Sequence, residues 1–275
     1  MALAPSITKL LQFGVGRRGF YIPLHRMDDV RASEFRGYKA LEKLFAAKHG
    51  AFAELITAID SYAEALAAIS GLKPPQPRFE QDWFPRLDAA AYYTLVRRTR
   101  PKRIIEVGSG HSTRFACRAI ADEGISCEVT AIDPRPRADI ARLPIVRKRQ
   151  PLQEVPLEYF ERLQAGDIFI VDSSHVFMPG TDVDFAINQV LPMLPAGVLV
   201  SFHDIFLPDA YPDEWPFGIY NEQNAVAPLL QGGYEIVFAS AYVGSRMKAE
   251  LDATIIARLP LVDTAVENGF WLKKL

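Results

Sequence analysis

An α/β fold with a mostly parallel sheet follows from three features of these 275 residues. Short β-branched runs alternate with stretches of helical periodicity from Leu87 to the end of the chain. Crossovers of that kind make neighbouring strands parallel. One run, Ile104, Ile105 and Val107, breaks into a Gly-x-Gly turn at Gly108–Gly110, and a helical pattern follows Ser112 and Thr113. Several runs also end in an acid or a histidine: Asp133, Asp172 through His175, and His203 with Asp204.

Taken in order, the chain begins with an irregular arm. The aromatic segment Gly19–His25 within it reads as a packing arm, with a pocket lid as the functional alternative. From Ser33 to Ile69 two apolar stripes, divided at His49–Gly50, predict a pair of antiparallel helices. Pro74, Pro75 and Pro77 stiffen the connector that follows. The expected division is therefore an N-terminal arm and helical extension over 1–77, then the main domain over 78–275. Leu87–Arg98 predicts a helix with Asp88 as its N-cap. Strands are predicted at 103–107, 128–133, 144–146, 167–172, 197–202, 234–239 and 269–275, seven in all. Helices are expected over 183–194, 222–230 and 247–259. A long loop, Pro208–Tyr220, carries Tyr211, Trp215 and Tyr220, and a loop of that length in a compact domain usually serves function.

Composition narrows the class. The chain is 49% hydrophobic and 23% charged, ample for a core. A net charge of −2 does not suit a surface that tracks phosphates, so nucleic acid is not the expected partner. No apolar run approaches eighteen residues, so no membrane span is expected. Cys117 and Cys127, on neighbouring core elements, read as reduced thiols, which fits the cytoplasm.

The glycine turn admits two cofactors. A dinucleotide site wants a third glycine where this chain has Thr113, which weakens an NAD(P)-dependent oxidoreductase. The stretch Glu106-Val107-Gly108-Ser109-Gly110 instead resembles the first motif of the class I S-adenosylmethionine-dependent methyltransferases. Asp172-Ser173-Ser174-His175, Phe202-His203-Asp204, Asn221-Glu222-Gln223 and Phe270-Trp271-Leu272 are similar to a small-molecule subset of that family. The resemblance runs from about Leu87 to the C-terminus. It implies a doubly wound, seven-stranded Rossmann-like sheet with the helical segment as an N-terminal extension. It also implies a cofactor site at Glu106, Gly108, Ser109, Gly110, Ser112, Asp133, Asp172 and Ser173, with Asp133 on the ribose hydroxyls and adenine near Gln150 and Leu152.

The chemistry implied is methyl transfer to a small-molecule acceptor, with a hydroxyl favoured. That hydroxyl needs a base or a metal to lower its pKa. His175, His203 and Asp204 are the catalytic candidates, because an imidazole titrates near working pH. Asp172, His203 and Asp204 stand where related O-methyltransferases keep magnesium. A histidine among them departs from the all-oxygen set that magnesium prefers and leaves manganese, zinc or no metal open. A non-catalytic scaffold that self-associates through its N-terminal helices is the remaining class, and Glu106 and Asp133 speak against it.

Overall fold

The computed structural model describes residues 35–71, 73–213, 215 and 220–275. The arm segment Gly19–His25, and residues 214 and 216–219 of the Pro208–Tyr220 loop, lie outside the described residues. The chain divides into two compact units, Met1–Gly37 and Tyr38–Leu275. All that follows concerns the second.

Seven strands form one sheet: β1 Arg103–Val107, β2 Glu128–Ile132, β3 Val146–Lys148, β4 Ile168–Val171, β5 Leu199–Phe202, β6 Tyr234–Ala239 and β7 Phe270–Lys274. Their order is β3-β2-β1-β4-β5-β7-β6. The first five run parallel, while β7 lies antiparallel to both β5 and β6. The order steps outward in one direction from β1 to β3 and in the other from β4 onward. A crevice therefore opens at the carboxyl ends of β1 and β4, where such sheets bind ligands. Every residue of β4, Ile168-Phe169-Ile170-Val171, is buried, as expected for a strand covered on both faces.

Helices α1 (Lys39–Ala46), α2 (His49–Asp60) and α3 (Ala63–Ala67) occupy the predicted N-terminal helical region. His49 opens α2, and the stretch forms three helices rather than two. Their apolar stripes are spent on the body of the domain. Phe45 packs 5.4 Å from Tyr242 and 5.8 Å from Phe270, and Phe52 lies 5.9 Å from Phe238, measured between ring centroids.

Helix α4 (Arg86–Thr99) precedes β1, and its face Leu87 to Val96 is buried throughout. Its N-cap is Pro85, so Asp88 lies inside the first turn rather than capping it. Helix α5 (His111–Glu123) follows the glycine turn. The predicted helix over 183–194 begins as α6 (Asp182–Phe185), widens into a π-turn over Ala186–Val190 and tightens to a 3-10 turn at Leu191–Met193. Helix α7 (Glu222–Val226) comes next, and helices α8 (Ser240–Arg246) and α9 (Lys248–Asp252) lead toward β7. The first of those last two begins seven residues before the helix expected at 247. Cys117 and Cys127 are free thiols, and burial pushes each up to about 12. Among the described residues no helix is long and apolar enough to cross a membrane.

Gly108 is where the fold demands glycine. Its φ is +81, and a Cβ there would sit 1.8 Å from the carbonyl oxygen of Asp172 on the neighbouring strand end. Both strain and overlap oppose any side chain. Gly108→Ala is therefore expected to cost roughly 3 kcal/mol or more in a urea titration. A loss below about 1 kcal/mol would show that the Asp172 carbonyl can yield.

Candidate active site

The carboxyl edge of the sheet opens into a cleft of about 1330 Å³. Gly108, Ser109, Gly110, Ser112, Asp133, Asp172, Ser173, His175, His203 and Asp204 all line it. Of the predicted site residues, Glu106 alone lies elsewhere, fully buried beneath the turn.

Glu106 holds the turn from below. The Thr113 hydroxyl donates to its carboxylate and accepts from the N–H of Gly110 at 3.0 Å. Thr113, standing where a dinucleotide site would carry glycine, thereby stitches the turn to the strand. Burial raises Glu106 to about 7, against the hydrogen bonds from Ser112 and Thr113, with Asp172 and Asp133 adding repulsion. Its Oε1 is buried without a partner. Asp133 uses one oxygen to accept from Ser109 Oγ at 2.9 Å and the other to accept from the N–H of Arg135 at 2.7 Å. It still faces the cleft, where its acceptor oxygens suit vicinal hydroxyls. A glycine that admits no Cβ, an acid at the next strand end and an α5 N-terminus fit the amino-acid and ribose portions of S-adenosylmethionine. Leu152 also lines the cleft, whereas Gln150 donates to the Glu154 carbonyl at 2.9 Å.

Two histidines and four acids form the centre. His175 Nδ1 meets Glu222 Oε2 at 2.8 Å, while its Nε2 lies 3.3 Å from Asp204 Oδ2 and 3.5 Å from Asp172 Oδ1. His203 Nε2 meets Asp88 Oδ2 at 3.1 Å, while its Nδ1 lies 3.4 Å from Asp204 Oδ1. Burial alone would lower both imidazoles, but the surrounding carboxylates win. His175 rises to about 10, through Asp172 and Glu222 above all, and His203 is held well above its usual range by Asp172, Asp204 and Asp88. Asp204 is pulled below the ordinary carboxylate range, because His203 and His175 outweigh the cost of its burial.

Both His175 and Asp204 have left-handed backbone, with φ of 58 and 57. Such strain in a non-glycine residue persists only where neighbours impose it. Asn268 grips Asp204 at both ends, accepting its N–H at 3.3 Å and donating to its carboxylate at 2.9 Å. Asn221 and Glu222 both donate their N–H groups to the carbonyl of His175, at 3.2 and 3.3 Å.

This arrangement does not suit a metal ion. Each ring nitrogen of His175 and His203 faces a carboxylate oxygen, so in this arrangement the histidines and acids are paired with one another. Among the described residues no group of three or more His, Cys, Asp and Glu is placed to hold a metal. Asp172, His203 and Asp204, expected as candidate ligands, instead form charge pairs.

Sequence reasoning missed Asp88, Asn268, Trp83, Phe84 and His111. Asp88 carried a faint signal as the one acid among Leu87 and Ala89–Tyr93, all buried. Asn268, Trp83 and Phe84 come from distant loops and carried none, whereas His111 directly follows the glycine turn. Phe84 lies against the His203 ring at 5.3 Å, and Tyr220 against His175 at 4.5 Å, walling the centre from two sides.

The turn allows a test of its buried acid. A carboxyl raised from 4.5 to about 7 favours folding while protonated and loses that advantage as pH rises from 4.5 through 7. Glu106→Gln should match the parent's Tm at pH 4.5 and exceed it at pH 8, by up to roughly 3 kcal/mol in stability. Equal Tm values at pH 8 would mean that the acid is solvated or paired in solution.

Comparison with known proteins finds a family match over the same part of the chain. Residues 105–205 match the profile of a family described as a methyltransferase domain. A curated, uncharacterized protein of Archaeoglobus fulgidus is 37% identical over 90 residues; the match covers 30% of this chain and 39% of that protein. Among solved structures, the chain is similar to the S-adenosylhomocysteine-bound methyltransferase PaMTH1 of Podospora anserina. That likeness has 13% identity and a TM-score of 0.44, covering 94% of this chain and 100% of that one. It is also similar to the O-methyltransferase TomG of Streptomyces achromogenes in complex with S-adenosylmethionine, at 16% identity and a TM-score of 0.42, covering 81% and 89%. Over residues 105–205, from β1 through the end of β5, the chain is thus similar to a methyltransferase domain.

Proposed function

We propose that the protein transfers the methyl group of S-adenosylmethionine to a hydroxyl of a small-molecule acceptor. The observation that carries this reading is the opening of the glycine turn and the His175–His203–Asp204 centre into one cleft. When bound, the cofactor supplies an electrophilic methyl on a sulfonium, which an oxygen displaces in line. The chain's task is then to place the acceptor oxygen and dispose of its proton.

Gly108, Ser109, Gly110, Ser112 and Ser173 are assigned to the amino-acid end of the cofactor, and Asp133 to the ribose. The charge pairing shifts the basic role from the histidines to the acids. Two imidazolium rings cannot accept a proton, but their N–H groups can hold an oxygen that is gaining negative charge. Asp204, ionised at working pH and 14% exposed at its side chain, is the assigned proton acceptor. Asp172, more open to the cleft, neutralises His175 and borders the cofactor. Burial by Phe84 and Tyr220 strengthens each of these charge interactions. No step uses a metal.

Binding decides the cofactor. S-Adenosylhomocysteine should raise Tm by several degrees while NAD(P) leaves it unchanged, and the opposite pattern would sink the assignment. Asp133→Ala should weaken S-adenosylhomocysteine roughly tenfold or more in calorimetry. With methyl-labelled S-adenosylmethionine and a panel of phenols, sugars and hydroxy acids, label should pass to hydroxyls. EDTA should not slow that transfer, and restoration of rate by Mn²⁺ alone would refute the metal-free centre.

A further inference from the structure

Asn221, Glu222 and Gln223 open helix α7, yet none of them behaves as the start of a short surface helix would. Glu222 is 0% exposed and Gln223 1%, although side chains of these types mostly face water. Asn221 sits at the N-cap and makes no capping bond with its side chain, forgoing the stabilisation an asparagine supplies there. Its Oδ1 instead accepts the N–H of Phe177 at 2.6 Å, and its Nδ2 donates to the carbonyl of the same residue at 3.1 Å. Gln223 does the same on the other side. Its Oε1 accepts the N–H of Phe206 at 3.1 Å, and its Nε2 donates to the Asp209 carbonyl at 3.3 Å. Between them Glu222 meets His175 Nδ1, and the Asn221 and Glu222 N–H groups go to the His175 carbonyl. Phe177 lies two residues beyond His175, and Phe206 two beyond Asp204. The start of α7 therefore holds the loop after β4 with one amide and the loop after β5 with the other. Past the bond from the His203 N–H to the Val171 carbonyl, no backbone hydrogen bond among the described residues joins these two loops directly.

We infer that Asn221, Glu222 and Gln223 are positioning residues, a clip that sets the distance and angle at which His175 and Asp204 meet. Those two side chains stand 3.3 Å apart, each on a left-handed residue just before a gripped phenylalanine. Backbone strain of that kind relaxes unless its surroundings oppose it, and the clip opposes it from the His175 side through four hydrogen bonds. The three residues act through His175 and Asp204 rather than on the reacting atoms. Misplacing a catalytic group by about 1 Å costs roughly a hundredfold in rate, so the separation is worth fixing. The clip's role in methyl transfer rests on the reading above, whereas its hold on the two loops does not.

Gln223→Leu tests the clip at a distance, because Gln223 hydrogen-bonds to neither His175 nor Asp204. In the full chain with nitrogen-15 in its histidine rings, the His175 signal is identified by its absence from His175→Asn. Its Nδ1 proton should exchange faster with water in Gln223→Leu and in Glu222→Ala, by roughly tenfold or more. Glu222→Gln, which still offers that nitrogen an oxygen, should restore most of the protection. Asn224→Ala, whose side chain reaches Tyr38 instead, should match the parent. With methyl-labelled S-adenosylmethionine and the best hydroxyl of the panel above, Gln223→Leu should lower kcat roughly tenfold or more. KM for S-adenosylmethionine and the affinity for S-adenosylhomocysteine should stay within about twofold. An unchanged His175 signal in Gln223→Leu would overturn the clip. An equal fall in S-adenosylhomocysteine affinity would overturn it too, since the segment would then support the whole cleft. Glu222→Gln as damaging as Glu222→Ala would overturn the positioning role of Glu222. If Gln223→Leu does not fold, Asn221→Ala, at a half-buried site, carries the same comparison. If the parent labels no hydroxyl of the panel, the proposed reaction falls by itself, and the His175 signal alone decides the clip.

Discussion

A carboxylate in the interior must be surrounded by donors or give up its charge, and Asp88 is where this fold meets that requirement. From the first turn of α4 it accepts the N–H groups of Asn268 and Gly269, at 3.1 and 3.0 Å, and faces His203. One buried acid therefore ties the helix before the sheet, the loop entering its last strand and the end of β5. Asn268, fixed by that bond, holds Asp204 in its left-handed conformation. The proposed catalytic centre depends on this chain of contacts, which constrains the His203 ring and the Asp204 carboxylate to the cleft.

The second buried acid, Glu106, works differently. It is fully buried, takes two hydroxyl donors from the start of α5, and leaves one oxygen without a partner. Its role in this structure is to fasten the glycine turn to β1 through Thr113. The turn in turn presses Gly108 against the Asp172 carbonyl, so the glycine turn and the end of β4 are a single packed unit. Substitution at either end should be felt at the other.

Histidine chemistry shows how environment overrides residue type. A free imidazole is the natural base at neutral pH, and His175 and His203 read that way from sequence. Enclosed by Asp88, Asp172, Asp204 and Glu222, both are held toward the protonated form, and the proposed proton acceptor is therefore an acid. Loop order concealed this: Glu222 is 47 residues from His175 and Asp88 is 115 from His203.

The local pattern by itself determined the strands, the glycine turn and the polar residues at the strand ends. Apolar runs, φ-permissive glycines and abrupt acids are properties of neighbours along the chain. That is why all seven strands fall within two residues of expectation, with the weakly apolar third shifted by two at both ends to Val146–Lys148. Tertiary structure alone decided which partners those residues meet. The reversal of β7 between β5 and β6 brings Asn268 and Gly269 to Asp88, and the α7 N-terminus brings Glu222 to His175. Charge state depends on distance and burial through space, and neither is written in the spacing of residues along a chain.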